Sequence, residues 1–336
     1  MKAAMTRSEL LMAVSRLFYQ EESSKTAIAH KIGVSVTQVG RLLDEARAEG
    51  VVHIRITPPR HPVLQADLLR KFPCLKEAVV VGTEKDYSVQ TRSLAQSAAD
   101  YFDERVRKGT KVGLSGGMTI FEMVKLLPER ERKVKLFPTA ILGRGHTIVN
   151  HIDPIVSLTL LWAKSGFMED GVFYVTITPL EMQNEPLTRE RIRGEIDELL
   201  RRKKVSWVND QMRNLDCVFA SLRQIDAPAK QRKQMGASAI DLLSDVGITA
   251  RELSEEGVIG DINYSFIDGA GKTRQDWRLF LSLQADDLRQ MASHSAKRVV
   301  VIAGSHKETI LRAALAGALL NVLITDERTA EVLLAS

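Results

Sequence analysis

The feature that most constrains this chain is a set of short, fully apolar runs, each followed by a helical stretch. RVVVIAG at 298–304 precedes a helical pattern over 306–317, and NVLITD at 321–326 precedes another over 327–334. AVVVG at 78–82, KVGLS at 111–115 and DCVFASL at 216–222 have the same character. A strand with one wet face alternates apolar and polar residues, whereas an uninterrupted apolar run must be covered on both faces. Apolar strands alternating with helices predict an α/β fold with a parallel sheet between two helical layers. Further strands are predicted at 134–142, 172–177 and 262–267. Further helices are predicted at 89–107, from the Gly116-Gly117 pair through Leu127, and at 153–164, 188–203 and 236–245.

The first fifty residues read differently. Leu10, Leu11, Val14, Leu17 and Phe18 repeat at three and four, with Ser8 as a candidate N-cap. A second short helix spans 25–32 and ends at Gly33, where a left-handed residue closes a helix. Ser35 then caps a third helix running to Ala48, whose apolar face is Val39, Leu42, Leu43 and Ala46. VVHIRI at 51–56 reads as a short strand, and Thr57-Pro58-Pro59-Arg60-His61-Pro62 interrupts regular structure. The expected division is residues 1–57 as one domain and 58–336 as the other, in keeping with a chain of 336 residues.

A short helix, a glycine turn and a second helix form the helix-turn-helix layout, in which the second helix enters the major groove. Ser35, Thr37, Gln38 and Arg41 lie off the apolar face at its N-terminal end. Gln suits adenine and Arg suits guanine, each through two hydrogen bonds. Lys25 and Thr26, opening the preceding helix, suit phosphate contacts. A packing-only helical bundle is the alternative for the same pattern. The net charge of +5 is compatible with a polyanionic partner.

In the larger part, GLSGGMTI at 113–120 ends a strand and opens a helix. Backbone amides there converge on one point, and the helix dipole favours an anion. Ser115, Gly116, Gly117 and Thr119 are the candidate ligand contacts, the alternative being a tight turn with no ligand. The Walker lysine and the full GxGxxG spacing are absent, so no nucleotide cofactor is expected. Two distant cysteines, Cys74 and Cys217, give neither a disulfide framework nor zinc spacing. No run approaches the roughly 20 apolar residues of a membrane span, and MKAAMTRSEL lacks the apolar core of a signal peptide. A cytoplasmic protein is the expectation.

The stretch from Ala13 to Ile56 resembles the N-terminus of the SorC family of sugar-responsive bacterial regulators. Three segments extend the resemblance over about 60–334: 113–120, EGVIGDINYSFIDGAG at 256–271, and AGSHKETILRAALAGALLNVLITDERTAEVLL at 303–334. It implies a helix-turn-helix domain followed by a Rossmann-like effector and oligomerisation domain, similar in fold to sugar-phosphate isomerases and deaminases. It also implies operator DNA and a sugar or sugar phosphate as partners, and a homodimer or homotetramer. The resemblance adds Asp261 as a sugar contact and Lys307 as a cationic one, with Arg144 or His146 reaching the same pocket. Departures fall at Val36 and Gly40 in the third helix, at Met118, at Ala220-Ser221-Leu222 where glycines are usual, and at Gly304-Ser305. An isomerase or deaminase with an extra domain, using Asp261 with His146 or Lys307 as acid and base, is the competing reading. A DNA-binding protein that has lost its ligand is a third.

Overall fold

The computed structural model describes residues 5–52, 58–141, 153–166, 188–225 and 248–335. The chain divides into two compact units, Met1–Ile56 and Thr57–Ser336. The expected strand at 172–177, the helix at 236–245, most of the strand at 51–56, and Arg144 and His146 lie outside the described residues.

The first unit holds α1 (Arg7–Tyr19), α2 (Lys25–Ile32) and α3 (Val36–Ala48). Leu11, Val14, Leu17, Ile28, Ala29, Val39, Leu42, Leu43 and Ala46 form its core. Thr6, not Ser8, caps α1, because Glu9 three residues on completes a reciprocal capping box. Ser24 accepts from the Ala27 N–H at 3.1 Å, and Ser35 from the Gln38 N–H at 3.1 Å. Gly33, at φ 78°, closes α2 with its N–H on the Ala29 carbonyl.

The second unit opens with α4 (Pro62–Lys71), then β1 (Glu77–Val81), α5 (Tyr87–Arg105), β2 (Lys111–Leu114), α6 (Met118–Leu126), β3 (Lys135–Pro138) and β4 (Ala140–Ile141). Next come α7 (Pro154–Lys164), α8 (Arg189–Arg201), α9 (Lys203–Arg213), β5 (Cys217–Ala220), β6 (Leu222–Gln224), α10 (Ala250–Glu255), β7 (Gly260–Ile262) and β8 (Ser265–Ile267). It ends with β9 (Leu281–Ser282), α11 (Ala285–Ser293), β10 (Arg298–Ile302), α12 (Glu308–Ala316), β11 (Val322–Asp326) and α13 (Glu327–Leu334).

Six strands form one parallel sheet in the order β1-β11-β10-β5-β2-β3. Successive residues of a strand face opposite sides, and both sides are dry. Val80, Val218, Val299, Val301 and Leu323 join the core containing residues of α4, α8, α9, α11 and α12. Val81, Phe219, Val300, Ile302, Val322 and Ile324 join the core containing residues of α5, α6 and α7. This two-sided burial is why the strands carry no polar alternation.

Three expected strands are broken. The run 134–142 divides at Pro138-Thr139, and its second part pairs antiparallel with β9. The run 216–222 divides at Ser221, after which β6 enters a three-stranded antiparallel sheet with β7 and β8. The expected strand at 262–267 is a hairpin, turning at Asn263 and Tyr264 with φ of 54° and 64°. Asp261 therefore lies in strand β7. The helices α4, α9, α10 and α11 are not among those the sequence predicts.

Candidate functional site

Open parallel sheets bind ligands at the carboxyl ends of their strands. Here those ends present Ser115 to Gly117 after β2, Ser221 after β5, and Gly304 to Lys307 after β10. The β7–β8 hairpin adds Asp261 from the small sheet.

The innermost part is a buried polar cluster. The Ser221 hydroxyl donates to the Gly116 carbonyl at 2.8 Å, so the 3.0 Å contact between the two serine oxygens is a bond donated by Ser115. Arg223 donates Nη1 to Asp261 Oδ1 at 2.8 Å and directs Nη2 toward the Gly116 carbonyl at 3.4 Å. Asp261 also accepts the Tyr264 N–H at 2.9 Å. The Arg223 guanidinium stacks on the Tyr264 ring, 4.3 Å from its centroid. A tyrosine at positive φ is an unfavourable backbone state that its surroundings must hold in place, and here the stacked, 1 % exposed ring does so. Gly260 is required beside it, because a Cβ there would lie 2.2 Å from the Arg223 carbonyl oxygen. Burial pushes the Asp261 carboxyl above its ordinary range, and the charges of Arg223 and Lys307 and the Tyr264 N–H oppose that rise. Burial also works against the Arg223 charge, but Asp261 and Tyr264 together more than offset it.

Fixing the Gly116 carbonyl inward sets the direction of the following turn. Gly117, at φ 132°, leads into α6 with no side-chain cap. The first-turn N–H groups of α6 have no intrahelical acceptor, the arrangement that receives anions or polar oxygens.

Thr119 in that turn and Lys307 before α12 line one cavity of about 320 Å³, which continues along α5 past Gln90 and Thr91 to Lys85 and Arg328. Burial and the Arg223 charge lower the Lys307 ammonium to about 8, with Asp261 opposing. Gln90 is buried and accepts the Glu84 N–H through Oε1. Exchanging its amide atoms would lose that bond, so its Nε2, which has no partner among the described residues, is the donor left over.

Of the ligand contacts expected from sequence, the structure thus brings Thr119 and Lys307 to one cavity. It places Ser115, Gly116 and Asp261 in the inner cluster, and Gly117 at the turn joining the two. Arg223, Ser221 and Gln90 were not singled out as contacts. A signal for Arg223 does exist: it is the first charged residue after a wholly apolar strand, at the edge where ligands bind.

In the first unit, Lys25, Thr26, Ser35, Thr37, Gln38 and Arg41 are all exposed. Lys25 reaches over the Phe18 ring at 5.9 Å. A Cβ at Gly40 would have nothing nearer than the Lys25 Nζ, at 4.0 Å, so this departure leaves α3 open on that side. Val36 is also exposed.

A three-helix unit of helix-turn-helix layout thus precedes, along the chain, an α/β unit with a polar crevice at its strand ends. The profile of the family described as "Putative sugar-binding domain" matches residues 61–159 and 185–335. The chain belongs to that family. It is 25% identical to the deoxyribonucleoside regulator of Bacillus subtilis (strain 168) over 336 residues, covering 97% of each chain. It is also 25% identical to the sorbitol operon regulator of Klebsiella pneumoniae over 333 residues, again 97% of each. The crystal structure of that full-length sorbitol operon regulator, SorC, superposes with a TM-score of 0.63 at 22% identity, covering 97% of this chain and 99% of the other. Among the described residues, no helix is long and apolar enough to cross a membrane, and no group of three acidic, His or Cys side chains could hold a metal ion.

Proposed function

We propose that residues 1–57 bind operator DNA through α3. In this reading residues 58–336 bind a sugar or sugar phosphate between the first turn of α6 and Lys307, and the ligand sets operator affinity. The protein then governs a carbohydrate catabolic operon, in the cytoplasm, as a homodimer or homotetramer. The observation carrying the DNA half is the exposed polar edge Thr37, Gln38 and Arg41 on a helix whose other edge, Val39, Leu42, Leu43 and Ala46, is buried. Such an edge, entered through a glycine turn, is what a major-groove helix requires. One relative is named for deoxyribonucleosides and the other for the sorbitol operon, and the cavity has the size and the mixture of donors and cations that a monosaccharide or its phosphate needs. Asp261, 1 % exposed and held by Arg223, is poorly placed as the acid or base of an isomerase.

Two measurements test this reading. Arg41→Ala and Gln38→Ala are each expected to weaken operator binding by about 1–3 kcal/mol and relax base preference. Lys25→Ala should weaken binding to all sequences alike and flatten the salt dependence by about one unit. Unchanged affinity and preference in Arg41→Ala would mean that α3 does not read bases. Separately, a thermal-shift series over sugars, sugar alcohols and sugar phosphates should find a compound that stabilises the protein without being turned over and alters operator binding. Turnover would point to an enzyme, and no stabilisation by any compound to a ligand-free regulator.

A further inference from the structure

The cavity that receives Thr119 and Lys307 has a second end, away from both. Its wall there is built by Thr83, Glu84 and Lys85 after β1, Arg328 in the first turn of α13, and Gln90 on α5. These segments are tied to one another and to the loop that carries Lys307. Thr83 Oγ1 accepts the Arg328 N–H at 2.9 Å. Asp326 accepts the Ser305 N–H at 2.9 Å and the Thr329 N–H at 2.8 Å. Gln90 accepts the Glu84 N–H. The wall is therefore set before a ligand arrives, which spares binding the cost of ordering it.

Charge and an unused donor say what this end receives. Lys85, Lys307 and Arg328 line the cavity, and Glu84 is the one carboxylate among its lining residues. The neighbouring carboxylates are occupied: Asp86 accepts the N–H groups of Ser88 and Val89, and Asp326 is buried beneath Ser305. Among the described residues, neither Lys85 nor Arg328 has an acidic partner. Gln90 is only 6 % exposed, yet its Nε2 has no partner among the described residues. A buried N–H left without an acceptor is unfavourable, and the cavity it lines is where an acceptor enters. The spacing suits a short ligand held at both ends. Only β11 separates β1 from β10, so the strand ends leading to Lys85 and to Lys307 lie roughly 10 Å apart.

We propose, building on the sugar-binding reading above, that the cavity holds a sugar anionic at both ends, either a bisphosphate or a phosphorylated sugar acid. One anion sits at the first turn of α6 and Lys307. The other sits between Lys85 and Arg328, and Gln90 Nε2 donates to a ligand oxygen between them. A monophosphate fills one end and leaves the other two cations unused. A site whose buried donor and cations need two acceptors discriminates against a ligand that supplies one.

The test is calorimetric titration of the full-length chain with matched pentose, aldohexose and ketohexose sets. Each set comprises the neutral sugar, its monophosphate, its bisphosphate and its phosphorylated acid. In the set that binds, a two-ended compound should bind at least about tenfold more tightly than the monophosphate. Whether the bisphosphate or the acid does so tells phosphate from carboxylate at the second end. Lys85→Ala combined with Arg328→Ala, both exposed positions, should erase that advantage while changing monophosphate affinity far less. Lys307→Met should weaken both compounds. Gln90→Glu keeps an acceptor for the Glu84 N–H but puts a carboxylate oxygen where the donor was, so it should weaken the two-ended compound most. A neutral sugar or monophosphate bound as tightly as any two-ended compound would overturn the second subsite and leave the sugar-binding reading standing. Equal losses for both compounds in the Lys85 and Arg328 double variant would do the same. No binding by any compound in the sets would overturn both.

Discussion

Replacing Arg223 with methionine is expected to lower the stability of the larger unit by about 3–5 kcal/mol, the cost of leaving a buried carboxylate without its cation. Arg223 and Asp261 are 8 % and 1 % exposed, so water cannot take over from the missing partner. The same substitution frees the Gly116 carbonyl from one of its donors and removes the cation stacked on Tyr264. Asp261→Ala should fall in the same range by stranding the guanidinium. Asp261→Asn should lose less, because its side-chain oxygen can still accept from Arg223 and the Tyr264 N–H. The double variant Arg223→Met with Asp261→Leu should recover part of the loss, since removing both charges also removes their desolvation. Urea unfolding of the four variants checks this. Additive single losses with no recovery in the double variant would show that the ion pair is not what holds the hairpin to the sheet edge. Because Asp261→Ala alters stability, its ligand response has to be measured below the temperature at which that variant melts.

The second large effect is expected at Lys307. If the ligand is anionic, its affinity should be flat from pH 7 to about 8 and fall by up to tenfold per pH unit above that, as the ammonium loses its proton. A phosphate monoester is already dianionic over this range, since its second pKa is about 6. The change therefore belongs to the protein, and Lys307→Met should abolish it while weakening binding by about 10–100-fold. The sign for stability is opposite. Lys307 titrates near 8 in the folded protein and at 10.5 in an ordinary setting, so between those values the unfolded chain binds more protons and stability rises with pH. In Lys307→Met that rise should disappear. Glu84, Lys85, His306 and Arg328 share the cavity wall and remain in both proteins, so the comparison isolates Lys307. An affinity independent of pH from 7 to 10, equal in the parent and Lys307→Met, would place the ligand's anchor elsewhere.

The sequence by itself determined the helices of the first unit and the parallel sheet of the second. Gly33 had to be left-handed, Ser35 carries cap chemistry in its own side chain, and RVVVI and VLITD fit only a sheet buried on both faces. These are local or periodic properties, written in adjacent residues. Thr119 and Lys307 were legible for a related reason: each follows a strand and sits at a helix start, and strand ends in a parallel sheet share one edge. What only the tertiary structure decided is which groups complete one another across that edge. Ser221 looked like the loss of a glycine, yet it is the hydroxyl that turns the Gly116 carbonyl inward. Arg223 and Asp261 are separated by 38 residues and become partners only when β6 leaves the main sheet and pairs with β7. The partner of a buried charge is fixed by strand register, a long-range property, and no spacing along the chain encodes it.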